Sequence, residues 1–100
     1  MQNQMKFTVN WTGYLSFAAY QEQAPYTAGQ FPMETRNHLA AIGLAALDAV
    51  QEAELAGMSD ADEAFLVVTV KDEGATKPFT RFGVPYGPLG ENAILAVKMA

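Results

Sequence analysis

From Phe7 to Phe17 the chain alternates. Phe7, Val9, Leu15 and Phe17 share one parity, and Thr8, Asn10, Tyr14 and Ser16 share the other. A period of two is the mark of a strand with one buried face. One strand from Lys6 to Tyr20 would run ~50 Å at ~3.3 Å per residue, long against a domain radius of gyration of ~13 Å. A turn at Gly13 resolves the length. A loop of Trp11-Thr12-Gly13 pairs Val9 with Leu15 and Phe7 with Phe17, so both apolar sets face the same way. It also places Gly13 at the left-handed position such loops require. A loop of Thr12-Gly13 alone would mix the parities. The expectation is therefore a hairpin with Trp11 at its exposed tip, and a strand bulged at Gly13 is the alternative.

The period changes further on. "QEQAPYTAGQFP", residues 21–32, reads as a loop because Pro25, Gly29 and Pro32 punctuate it. A helix is expected from Pro32–Thr35 to Ala56, with Pro32 suited to a first turn, Thr35 as a competing cap and Gly57 as the stop. At about 100° per residue, Leu39, Ile42, Gly43, Ala46, Leu47, Ala49, Val50 and Ala53 gather on one face, the expected buried one. Phe7, Phe17 and Phe65 are its expected complements on the sheet. Leu44 and Leu55 fall on the other side with Asp48, Gln51 and Glu52. "FLVVTV", Phe65–Val70, is apolar on both parities, as a central strand is. "DEGATK" is a turn around Gly74. "PFTRFGV" returns as a strand, with Pro78 at its start arguing against a central place. "AILAVKM", Ala93–Met99, closes the sheet. The fold class that follows is α+β: a mostly antiparallel sheet of about five strands with one long helix on one face, in the order β-β-α-β-β-β.

Composition bounds this picture. Half of the 100 residues are hydrophobic and 17% are charged, which suits one folded domain and not a disordered chain. There is no cysteine, so disulfides and thiolate metal sites are excluded. Residues 1–4 read as a loose tail without the basic and apolar runs of a leader, and the longest apolar run, Leu39–Leu47, is too short to span a bilayer. A cytoplasmic location is the default expectation.

The net charge of −5 is unevenly placed. From Asn37 to Val70 there is no Lys or Arg, while Asp48, Glu52, Glu54, Asp60, Asp62 and Glu63 all lie there. Lys71, Lys77 and Arg81 follow. This balance argues against direct nucleic-acid or membrane binding, which needs cations, and fits a protein partner with a basic surface.

The usual tools of catalysis are scarce. His38 is the one histidine and has no second ligand at metal-binding spacing. Neither Ser16 nor Ser59 sits in a nucleophile motif, and no phosphate cradle is present. Asp60 and Asp62 lack the rest of a calcium loop. No enzyme, cofactor or metal is expected. A small enzyme using Asp, Glu and Tyr is the weaker alternative. What the chain does offer is contact area. Tyr26 and Tyr86 each follow a proline in a loop, and tyrosine gives wide amphipathic contact at low entropy cost. Tyr14 and Tyr20 would look outward from the sheet. The expected protein-binding set is thus Trp11, Tyr14, Tyr20, Tyr26, Leu44, Asp48, Glu52, Leu55 and Tyr86. The expected function is a small acidic binding domain, an inhibitor or adaptor for a nucleic-acid-handling protein. By composition alone, phage and mobile-element inhibitors such as anti-CRISPR proteins are chains of this kind. An assembly subunit of a virion or tail, oligomerising through its sheet, is the alternative, and a homodimer is compatible with either.

Overall fold

The computed structural model describes residues 4–58, 64–85 and 97–98. They form an α+β domain in which an antiparallel sheet carries one long helix on one face. Strand β1 (Met5–Tyr14) is followed by a short helix α1 (Phe17–Gln21), β2 (Thr27–Thr35), the long helix α2 (His38–Ala53), β3 (Phe65–Asp72), β4 (Thr80–Pro85) and the two-residue β5 (Val97–Lys98). The sheet order is β2-β1-β3-β4-β5, and every neighbouring pair is antiparallel. No helix among the described residues is long and apolar enough to cross a membrane.

The expected hairpin at Gly13 is not formed. β1 runs straight through Trp11 and Gly13, and the chain leaves the sheet only at Leu15. Val9 faces Phe31 and Phe7 faces Met33, not Leu15 and Phe17, which are both exposed. The parity of residues 14–17 belongs to a helix start: the Ser16 hydroxyl accepts from the Ala19 N–H at 3.0 Å and caps α1. The second strand is instead β2, which takes the latter half of the stretch read as a loop and the residues Pro32–Thr35 expected to open the helix. Pro32 is tolerated there because β2 is an edge strand, where a missing N–H can face away from the ladder.

Gly13 has a different task. A Cβ at this position would run into the Met58 sulfur, so the bare backbone makes room for a fully buried methionine. Gly29 does the same for Trp11, which lies across from it on β1 and covers it with the indole ring. These two gaps let large side chains fill the layer between sheet and helix. Phe7, Val9 and Trp11 of β1, Leu66, Val68 and Val70 of β3, and Phe82 and Val84 of β4 form that layer.

Helix α2 starts later than expected, at His38, because Asn37 caps it: its side chain accepts from the Ala40 N–H at 2.7 Å. It ends through one wider turn, Glu54–Met58, where Gly57 takes a φ of 97° that favours glycine. β2 and β3 both flank β1, so α2 is a crossover that rests on β2 and β3 and passes over β1. β3 is the central strand its composition implies, with Leu66, Val67, Val68 and Val70 buried. Of the expected last strand, Val97–Lys98 is seen, and the rest lies outside the described residues.

Candidate functional site

The side of α2 that meets the sheet is a row of alanines. Ala41, Ala45, Ala49 and Ala53 recur every fourth residue, and each is 0% exposed. Ile42, Ala46 and Val50 flank them, partly buried. Small inward residues bring the helix close to a sheet already filled by Trp11, Phe7 and Phe82. The consequence is an inversion of the usual arrangement. Leu39 is 79% exposed, Leu47 59%, Leu44 40% and Leu55 89%. Leu39, Gly43 and Leu47 were expected in the core, and all three point to solvent. Nothing lies within 4 Å of where a Gly43 Cβ would stand. A helix that is apolar on both sides has a second surface to bury.

Acids border this leucine face. Glu54 is exposed at the helix end and Asp48 is half-buried beside Leu44 and Gln51. Glu52 is committed elsewhere. Its Oε1 accepts a 2.8 Å hydrogen bond from the Trp11 indole N–H, which joins α2 to the middle of β1. Trp11 is 3% exposed, so its expected role as a surface anchor is overturned. A strand centre with glycine opposite and a helix carboxylate above is a core site for tryptophan.

The tyrosines go to other places. Tyr14 and Tyr20 lie on the face of the sheet opposite α2 and close on each other and on Phe65. Tyr14 stacks on Phe65 with ring centroids 5.7 Å apart, and Tyr20 stands edge-on to both at 5.3 and 5.1 Å. Phe17 tilts against the same group, and Arg81 reaches the Tyr20 hydroxyl at 3.5 Å. This cluster fastens α1 to the sheet, and offset and edge-to-face contacts of this kind add to burial. Tyr26 is exposed, with its N–H donating to the Gly13 carbonyl and its hydroxyl beside Gly57. Tyr86 lies outside the described residues, as do Asp60, Asp62 and Glu63. The expected binding set therefore divides. Leu44, Asp48 and Leu55 lie along one outward stripe of α2 and its closing turn, with the exposed Leu47 at its border, and the exposed Leu39 falls about half a turn from Asp48. Tyr14 and Tyr20 belong to another surface. The alanine row at four-residue spacing was the signal for the inward face, and with it for Leu39 and Leu47 facing out.

His38 begins α2 at the edge of this surface. Its Nε2 is 3.0 Å from Asp72 Oδ1, and its ring stands edge-on to Phe79 at 4.6 Å and to Phe7 at 5.3 Å. The imidazole thereby locks the first turn of α2 to the β3–β4 connection.

Compared with known proteins, the chain matches no family model, no curated protein and no solved structure.

Proposed function

We propose that the chain is a non-enzymatic protein-binding domain that engages a basic protein surface through the acid-rich side of α2. The observation that carries this reading is the inversion of α2, with alanines inward, leucines outward and Asp48 and Glu54 beside the leucines. The absence of Lys and Arg from Asn37 to Val70 supports it, since nothing on that run neutralises the acids locally. An acidic field of this kind speeds encounter with a cationic partner and repels anionic ones. Cationic protein surfaces are densest on proteins that grip phosphate backbones, so an inhibitor or adaptor of such a protein is the concrete form of the proposal.

Asp48→Lys combined with Glu54→Lys tests it. Glu52 is left alone because it holds Trp11. Wild-type chain immobilised at low salt should retain a basic protein from the source cell, release it as salt rises, and lose it with the double variant. Retention of the same partner by the double variant, with unchanged salt dependence, would reduce the acids to a solvated face.

A further inference from the structure

A basic partner would meet the acids of α2, but the leucines beside them stay uncovered. They do not form a random scatter. Ala40, Leu44, Leu47 and Gln51 follow one another at steps of four, three and four, the spacing of a helix seam, and Gly43 opens a shallow site beside Leu39, Leu44 and Leu47. Charge along the helix is also segregated. The half from Asn37 to Leu47 has no acid and is preceded by exposed Arg36. The half from Asp48 to Glu54 holds Asp48, Glu52 and Glu54.

A surface with Arg36 at one end, Glu54 at the other and an apolar centre is complementary to itself when turned end for end. We propose that α2 pairs antiparallel with α2 of a second copy, about a two-fold axis at the level of Ala45. In that register Leu47 of each chain seats on Gly43 of the other, Leu44 from both chains meets near the axis, and Arg36 of each chain faces Glu54 of the other. Opposed helix dipoles favour the same orientation. A glycine opposite a leucine permits the close approach that helix pairs adopt, with axes about 8–10 Å apart. A helix of 16 residues is about 24 Å long, so the contact lies at the small end of protein interfaces and the pairing depends on concentration. Asp48 stays on the rim, on both outer edges of the pair. The inference thus rests on the reading of α2 as a protein-binding face, and it leaves Asp48 available to a basic partner while Glu54 is engaged within the pair.

The test is sedimentation velocity of the full chain over a dilution series, with no partner present. The wild type should move from the mass of one chain to that of two as concentration rises. Leu47→Asp, a change at an exposed position, should hold it at one chain while far-UV circular dichroism stays native. Arg36→Glu and Glu54→Arg should each weaken pairing roughly two- to thirty-fold, as expected for two rim ion pairs lost together. Each single variant carries like charges at both ends, and a mixture of the two restores opposite charges at both. The mixture should therefore form the mixed pair in preference to either self-pair. A single-chain mass at every concentration would overturn the proposal and leave the basic-partner reading standing. A two-chain mass indifferent to Leu47→Asp would place the contact elsewhere and overturn it equally. Loss with Leu47→Asp but no preference in the mixture would overturn the antiparallel register.

Discussion

The Trp11 indole N–H sits in a site that is 3% exposed, and its partner is the Glu52 carboxylate. A buried donor left without an acceptor costs its full desolvation penalty. Glu52→Ala should therefore destabilise the fold by about 1–3 kcal/mol. Glu52→Gln keeps an acceptor oxygen at the same reach and should lose distinctly less. Urea unfolding followed by the emission of Trp11, the only tryptophan, reads both variants on the residue concerned. Equal losses in the two would mean that chain packing around Glu52, and not the hydrogen bond, holds the helix there. This residue also shows why alternation misleads. The apolar parity of Phe7 and Val9 continues correctly to Trp11, but beyond Gly13 it meets Leu15 and Phe17 by coincidence, where a capped helix has begun. Nothing in a period of two marks that change. Ser16, three residues before Ala19, was the visible cap.

At the scale of elements, α2 separates size from burial. Its alanines are the inward residues and its leucines the outward ones, so ordinary intuition about core substitutions reverses. Ala49→Leu adds bulk where the helix lies against the sheet, and overpacking should cost about 1–3 kcal/mol. Leu44→Gln, at a dilution where the chain is single, should fall within about 0.5 kcal/mol of wild type. Thermal unfolding by circular dichroism decides the pair: a larger loss at Leu44 than at Ala49 would show that the outward face is covered within one chain. The existence of α2, its stop at Gly57, the buried β3 and the turn at Gly74 were legible because periodicity and turn chemistry agreed there. The buried face of α2 was legible only in part. Ile42, Ala46, Ala49, Val50 and Ala53 turn to the core as expected, but summed hydrophobicity also draws in Leu39 and Leu47, whereas the inward side is set by what fits over Trp11 and Phe7. β2 was hidden for a related reason. Its Gly29 and Pro32 are loop residues by propensity, and only the indole above the one and the free edge beside the other make them strand residues.

Across the whole molecule, stability should be graded by how each element is enclosed. β1 and β3 have neighbours on both edges and the aromatic and aliphatic layer beneath α2 on one face. α2 is held to the sheet through its alanine row with Ile42 and Val50 beside it, the Trp11–Glu52 bond and the His38 contacts at its start. Elements with few buried apolar contacts open at lower free energy than the global transition. Amide exchange should therefore be slowest in β1 and β3 and faster in α2 when the chain is dilute. Pairing through α2 changes this selectively, because association protects the state that binds and the gain grows with concentration. Raising concentration should slow exchange in α2, most around Leu44 to Gln51, and leave β1 where it was. Hydrogen exchange with mass spectrometry at two concentrations makes the comparison inside one molecule, with β1 as the internal reference. An α2 profile that does not move with concentration would mean that the alanine contact with the sheet alone sets its stability, and that the leucines meet only water.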